Sequence, residues 1–572
     1  MQPEPFRQEE IEETVKAMLG EGGIFATAPM TLQGIDYDHV FQLSMASLRD
    51  LMAMRGAEHA AKELIVYEDE RYTFGEVWTK SMRFANWLIK THEVGAGDRV
   101  AIAMRNYPEW VMAFIGVIAT GATVVPLNAW WPGDELCEGA ERAGTKLVVC
   151  DGKRFEAMAG SKDKLGLTFI GVRGEAPQAD VQFNEVLEDE VISADVPTVP
   201  IDPDSDFCLL YTSGSTGKPK GVLLTHRSAT NALISWSFAL TMAQRLRPEY
   251  PFVAEKPAVL LALPLFHVTA MHIVMLLSWF TGRKTVFMYR WDAEKAAELI
   301  KQEQITNMVG VPTMAHDLIQ KANPEDLASL IDVSTGGAKR PETQVKDQKE
   351  KFERLNASSG YGLTETNAMV AHITLRDYQE RPSSAGRAVP PLNQIEAFSE
   401  DGKKLPRGKE GEICIKSPLN FRAYLDDEEA TKAAFHEGGW FRSGDIGYVD
   451  EDNYVYILDR SKDLIIRGGE NIGCLEVENA LLSFPGVDEA TVFAVPDERF
   501  GEIVGAVVYS EGGEIDLQAL RDHAAGELAA YKVPERIWTS PQTLPRGGTG
   551  KVDKRMTRQV ALTHPAHWSA LS

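Results

Sequence analysis

Short apolar runs alternate with longer helical stretches, and this alternation constrains the fold more than any other feature of the sequence. Val100-Ala101-Ile102-Ala103-Met104 reads as a buried strand, residues 110–120 as a helix, and Ala122-Thr123-Val124-Val125-Pro126-Leu127 as a second strand. The pattern returns at residues 258–263, 285–288, 308–311 and 331–334, with helical sequence between. Continuous apolar strands joined through helices imply parallel sheets, because a parallel crossover needs a dozen or more residues and covers the sheet faces. After about Asn393 the texture changes to short strands and turns, as in Gly411-Glu412-Ile413-Cys414-Ile415 and Tyr454-Val455-Tyr456-Ile457-Leu458. Beyond Asp463 a smaller α+β unit is expected, with helices at 476–483 and 517–528 and strands at 490–495 and 505–509. Residues 9–19 read as an acidic helix appended to the front.

At 572 residues the chain exceeds one ordinary core, and 44% hydrophobic residues can fill more than one. No apolar run approaches the ~20 residues of a membrane-spanning helix. Met1-Gln2-Pro3-Glu4-Pro5 lacks the basic and apolar segments of a secretory signal, and Ala570-Leu571-Ser572 is not a peroxisomal address. A cytoplasmic protein without integral membrane association is expected. The net charge of −24 argues against nucleic acid or an anionic membrane as partner, so an anionic substrate must be drawn by local groups. The five cysteines show no C-x-x-C spacing, which predicts reduced thiols and no structural zinc site.

The clearest chemistry lies in Tyr211-Thr212-Ser213-Gly214-Ser215-Thr216-Gly217-Lys218-Pro219-Lys220-Gly221-Val222. Glycines let the backbone approach an oxyanion and aim N–H groups at it. The hydroxyls of Thr212, Ser213, Ser215 and Thr216 add donors, and Lys218 and Lys220 add charge. Together they suit a polyphosphate; the bland alternative is a surface turn. The segment is not a P-loop of the form G-x-x-x-x-G-K-[ST], because Pro219 follows Lys218.

This segment resembles the phosphate-binding signature of the adenylate-forming superfamily, which includes acyl-CoA synthetases, adenylation domains of peptide synthetases and beetle luciferases. Within it the chain is most similar to bacterial fatty-acid-type acyl-CoA ligases, and the resemblance runs from about Ala46 to Lys554. Tyr361-Gly362-Leu363-Thr364-Glu365-Thr366 is similar to the second signature. By that analogy Tyr361 stacks on adenine beside Gly362, Thr364 contacts the α-phosphate, and Glu365, with Thr212, holds Mg²⁺. A helix start at Thr364 is the plain alternative. Gly439-Trp440-Phe441-Arg442-Ser443-Gly444-Asp445 resembles the third signature, Asp445 taking both ribose hydroxyls. In Asp459-Arg460-Ser461-Lys462-Asp463, Arg460 would contact the nucleotide and Lys462 would be the hinge.

Arg467-Gly468-Gly469-Glu470-Asn471-Ile472 resembles the loop lining the coenzyme A channel, here continued by Gly473-Cys474-Leu475 where the family commonly has proline or a small polar residue. Asn453 stands where a turn glycine is usual, and Asn tolerates the left-handed conformation. In Pro545-Arg546-Gly547-Gly548-Thr549-Gly550-Lys551, Lys551 is identified with the lysine that bridges carboxylate and α-phosphate. The acyl pocket is placed by resemblance at residues 266–271, with His267 gating the carboxylate, at 307–313, and at Thr335-Gly336-Gly337-Ala338 with Ala368-Met369. Gly337 and Ala338 would also border the nucleotide. These segments are mostly apolar and hold no carboxylate, which fits a neutral acyl tail better than an amino acid. Trp130-Trp131 also matches a fatty-acid-type ligase pattern.

The fold class implied is α/β. A large AMP-binding N-terminal domain, residues 1–461, would hold helix-covered parallel sheets plus a small β-barrel-like part; residues 462–572 would form a small mobile α+β C-terminal domain. The activity implied is Mg-ATP-dependent adenylation of a hydrophobic carboxylic acid, such as a medium- or long-chain fatty acid, then transfer to coenzyme A with release of AMP and pyrophosphate. Loading of a carrier protein, an aryl acid as substrate, and a nucleotide-binding protein with a dead site are the alternatives. No carrier segment with an attachment serine follows Lys554 in the sequence, and a homodimer is compatible with it.

Overall fold

The structure, a computed structural model, describes residues 4–212, 219–460, 463–467, 470–547, 551–563 and 569–571. Two large sheets organise the first four hundred residues. In one, Arg99–Ala103, Thr123–Pro126, Leu147–Cys150 and Thr168–Gly171 run parallel, and Asp206–Thr212 extends the sheet beside Thr123–Pro126. In the other, Glu63–Tyr67, Lys284–Phe287, Ala258–Leu261, Asn307–Gly310, Asp332–Gly336 and Asn356–Leu363 run parallel, and Ala368–Thr374 adds an antiparallel strand next to Asn356–Leu363. The apolar runs read from the sequence are the strands of these sheets, displaced by two residues at most.

The helix Pro108–Ala119 explains why both sheets share one core. Every residue in it is buried; Glu109 in its first turn pairs with Arg173 at 3.0 Å, and from Trp110 onward it is apolar on every side, as an enclosed helix must be. Pro108 opens it at a position whose N–H would have no intrahelical partner. Trp110 stacks on Phe114 at 5.4 Å between centroids. The same hydrophobic cluster reaches Val124 in one sheet and Val259 in the other.

From Gln394 to Arg460 the chain forms a five-stranded antiparallel sheet of Gln394–Phe398, Gly411–Lys416, Trp440–Val449, Phe435–His436 and Val455–Arg460. Trp440–Val449 alternates between buried and more open positions, as a strand with one face on the core does. Asn453 closes a turn at φ +64°, in the left-handed conformation expected of it. The remaining unit has its own core, built from Val477, Leu481, Val492, Val504, Leu520 and Ile537. Its helices Cys474–Leu482 and Leu517–Glu527 cover a sheet centred on the antiparallel pair Glu489–Asp497 and Gly501–Tyr509. This unit is seated by charge. Asp459 accepts the Cys474 N–H at the start of its first helix, where the helix dipole favours a carboxylate; burial pushes the Asp459 carboxyl up, and Lys554 of the small unit, itself paired within that unit to Glu478 at 3.1 Å, opposes the shift.

At the front, helix Gln8–Glu21 lies along helix His226–Leu246, tied by Arg245–Glu21 and Arg247–Glu10 ion pairs. Between them a cavity of about 780 Å³ is lined by Ile11, Val15, Leu19, Met242, Ile373 and Pro390 among others. Among the described residues, no helix is long and apolar enough to cross a membrane.

Trp110→Ala is expected to lower the stability of the two-sheet unit by about 3–5 kcal/mol, the cost of an emptied aromatic site. Val191→Ala, at a position 91% exposed, should change it by less than about 0.5 kcal/mol. Denaturant midpoints of the two variants test this, and equal shifts would refute the enclosed-helix argument.

Candidate functional site

The parallel strands Asn307–Gly310 and Asp332–Gly336 both end on glycine, and Asn356–Leu363 passes through Gly360 and Gly362. Carboxyl ends of parallel strands are where open α/β sheets bind ligands. A Cβ at Gly362 would lie 1.5 Å from the Ala368 carbonyl oxygen, so only glycine allows the neighbouring strand this close. The register between the two strands shifts at Tyr361 and Gly362. Thr364–Thr366 then forms a single 3₁₀ turn that leads into a strand, not into a helix.

Asp445 lies opposite this edge, 3% exposed. Its Oδ2 accepts the Tyr361 hydroxyl at 2.6 Å, and its Oδ1 pairs with Arg460 Nε at 2.7 Å. Burial pushes the Asp445 carboxyl up, while Arg460 and the Tyr361 hydroxyl oppose that shift. The loop behind Asp445 is pinned by Ser443, whose hydroxyl donates to the Ile413 carbonyl and accepts the Asp445 N–H.

Lys551 arrives from the small unit. A Cβ at Gly337, where φ is +76°, would lie 3.1 Å from Lys551 Nζ and 2.9 Å from its Cε, so the lysine occupies the space a side chain would take. Burial lowers Lys551 to about 8, the Arg460 cation adds to the shift, and Asp445 opposes it. His267 is close by: withdrawal from water and then the Lys551 ammonium push it down to about 3, so the imidazole is neutral at neutral pH. His267 precedes the π-helical segment Thr269–Leu276, a distortion often found at functional sites. Phe266, Met271 and Ala368 are buried around these strand ends, and Met369 Sδ lies 2.9 Å from where a Cβ would stand on Gly360.

Glu365 is held by Tyr424, which donates to its Oε1 at 2.9 Å. Burial pushes the Glu365 carboxyl up, while the Tyr424 hydrogen bond, Arg460 and Lys220 draw it down. Lys220 stands 4.6 Å above the Tyr424 ring and is the cross-strand partner of Thr212. Thr212 and Glu365 are thus joined through Lys220 and Tyr424. A hydroxyl and a half-buried carboxylate form an oxygen-only donor set that fits a hard cation such as Mg²⁺.

Of the residues singled out in the sequence, the structure gathers Tyr361, Gly362, Asp445, Arg460, Gly337, Lys551 and His267, and brings Glu365 within range of Arg460. Ala338 follows Gly337 in the bend after strand Asp332–Gly336. Ser213, Gly214, Ser215, Thr216, Gly217 and Lys218 lie outside the described residues, as do Lys462, Gly468 and Gly469. Two contributors lie outside the motifs read from the sequence. Tyr424 belongs to no motif and reaches Glu365 because strand Ala423–Tyr424 pairs with Lys220–Thr225. Asn367, fully buried at φ +53°, donates to Ser228 Oγ and the Leu419 carbonyl and contacts His272 Nε2 at 3.0 Å. Its position directly after Thr364-Glu365-Thr366 was the one available hint.

The AMP-binding enzyme family matches residues 53–425, and the AMP-binding enzyme C-terminal domain matches residues 476–551. The chain is 32% identical over 501 residues to the long-chain-fatty-acid–CoA ligase FadD13 of Mycobacterium tuberculosis, covering 86% of this chain and 93% of that one. It is 33% identical over 494 residues to a feruloyl-CoA synthase of an Amycolatopsis species, covering 85% and 93%. The structure of o-succinylbenzoate CoA synthetase from Bacillus subtilis in complex with its acyl-adenylate intermediate superposes with a TM-score of 0.75 at 28% identity, covering 89% and 97%.

Lys551 should react as an amine at lower pH than other lysines. Reductive methylation followed by mass spectrometry should show its labelling rate rising through a midpoint near pH 8, whereas ordinary lysines titrate near ~10.4. A midpoint near 10 for Lys551 would show that it does not occupy this cationic, enclosed position.

Proposed function

The chain belongs to the AMP-binding enzymes and is an adenylate-forming acyl-CoA ligase, and we propose that its acid is neutral and hydrophobic, a medium- or long-chain fatty acid. The observation that carries the adenylation chemistry is the packing of Lys551 over Gly337, beside Asp445, Arg460 and His267. A residue from near the end of the chain closes a site otherwise built by the large sheets. ATP, Mg²⁺ and coenzyme A complete the reaction.

In the first half, a carboxylate oxygen forms a bond to the α-phosphorus of ATP as the bond to pyrophosphate breaks, leaving an acyl-adenylate. The two reactants repel each other, and Lys551 answers this with a point charge between them. Asp445 takes the ribose hydroxyls, and its bond to Tyr361 sets that ring beside the adenine. Thr364 contacts the α-phosphate, and residues 212–218 hold the remaining phosphates. Thr212 and Glu365 would hold Mg²⁺, which supplies neutralisation of the polyphosphate charge when bound. The neutral His267 gates the carboxylate.

In the second half, the thiolate of coenzyme A bonds to the acyl carbon and AMP departs with the bonding electron pair. For the thiol to approach, the small domain, residues 462–572, turns about Lys462, withdrawing Lys551 and presenting Gly468 and Gly469. The apolar lining from Phe266, Met271, Ala368 and Met369 supports the fatty acid. A second reading, an aryl acid, is supported by the 33% identity to a feruloyl-CoA synthase.

Coenzyme A-dependent AMP release across short, medium, long and aromatic acids tests the substrate. Medium or long alkyl acids should give the highest kcat/KM; an optimum on hydroxycinnamates would favour the second reading. Lys551→Ala should slow adenylation by roughly 100- to 1,000-fold, the scale for losing one charge-stabilising group. The same variant should still transfer the acyl group from supplied acyl-adenylate to coenzyme A. Unimpaired adenylation with lost thioester formation would reverse the assignment of Lys551.

A further inference from the structure

We propose that Glu412, Cys414 and His436 form a binding site for a borderline-soft divalent cation of the zinc type, separate from the nucleotide site. The carboxylate oxygen, the sulfur and the ring nitrogen of these three side chains lie within 4.8 Å of one another. Two of them stand two residues apart on strand Gly411–Lys416, so they share a face of the sheet. The third comes from Phe435–His436, which pairs with Trp440–Val449, itself the neighbour of Gly411–Lys416. Three separately positioned side chains therefore converge on antiparallel backbone, where the pairing with Trp440–Val449 shifts register between Glu412 and Cys414.

Each group has capacity to spare. His436 is stacked on Phe398 at 5.4 Å and 9° between ring planes, which fixes the imidazole. Its Nε2 is buried and has no hydrogen-bond partner among the described residues. A buried polar atom left unmet costs about 1–3 kcal/mol, so a fixed ring with a free nitrogen calls for a ligand. Cys414 is buried, and its Sγ makes a long 3.6 Å contact with the Glu412 carbonyl. Glu412 accepts Arg442 Nε at 2.9 Å on Oε2 and the Gly444 N–H at 3.1 Å on Oε1, which leaves a further lone pair on each oxygen.

One thiolate, one imidazole and one carboxylate with an open fourth position form a tetrahedral zinc set, and the sulfur disfavours Mg²⁺ and Ca²⁺. Binding is a proton exchange with no change of oxidation state. The Cys414 S–H bond breaks, its proton passes to buffer, and the sulfur pair forms the metal bond. The cation would also fix Glu412 and, through it, the Gly444 N–H directly before Asp445. The five cysteines show no paired spacing because the ligands meet across strands and only one of them is a cysteine.

The test uses the full chain, stripped with a chelator and titrated with Co²⁺ as an optical probe. One Co²⁺ per chain should bind with tetrahedral visible bands, a sulfur-to-cobalt charge-transfer band and release of about one proton, and Zn²⁺ should displace it. Cys414→Ser, a near-isosteric change, should abolish the charge-transfer band, and His436→Ala should weaken binding about 100-fold or more. Cys137→Ser should leave every signal intact. Absence of stoichiometric binding, an octahedral spectrum, or a charge-transfer band that survives Cys414→Ser overturns the site. Circular dichroism of both variants separates loss of ligand from loss of fold.

Discussion

The buried carboxylate of Asp445 is the contact on which the candidate site depends. Taking a carboxylate out of water is costly unless it is paired and hydrogen-bonded, and Asp445 is both. Tyr361 comes from the nine-stranded sheet, Arg460 from the end of the five-stranded sheet, and both meet on this one side chain. The Asp445 charge also opposes the lowering of Lys551, which the small unit contributes. One carboxylate thus links two sheets that share a hydrophobic core and the small unit, which has a core of its own.

The site solves an electrostatic problem set by composition. A chain with net charge −24 repels polyphosphates and carboxylates at long range. Lys220, Arg460 and Lys551 concentrate positive charge around the half-buried Glu365 and the buried Asp445. Burial strengthens these interactions, because charges interact more strongly away from water. Withdrawal from water, and after it the neighbouring positive charge, explains why Lys551 and His267 both lose protons more easily than usual.

The seat of the small unit and the delivery of its lysine are one arrangement. Asp459 caps the first helix of that unit, and Glu478 on the same helix pairs with Lys554. Lys554 stands three residues beyond Lys551. Lys339, two residues after Gly337, feels Asp459, Glu476 and Glu478 across the same junction. Charged contacts of this kind hold a geometry without the large apolar interface that would lock it.

Much of this was legible in the sequence. The strands at 100–104, 258–263 and 308–311 announce themselves because a strand buried on both faces must be apolar throughout, and the helix read at 110–120, found at Pro108–Ala119, does so because it is apolar on every side from Trp110 onward. Tyr361, Asp445, Arg460 and Lys551 were recoverable as motifs, since each sits in a short local pattern. Tyr424, Asn367 and the Glu412, Cys414 and His436 cluster were not. Their partners lie tens to more than a hundred residues away or across strand pairings, and only strand order and register brought them together. The sequence by itself determined the alternating sheets, the separate small unit and the residue types at the site, because hydrophobic period and turn chemistry are local. Tertiary structure alone decided which carboxylate Tyr361 and Arg460 share and where Lys551 comes to rest, because burial and electrostatic pairing depend on distances that no local pattern encodes.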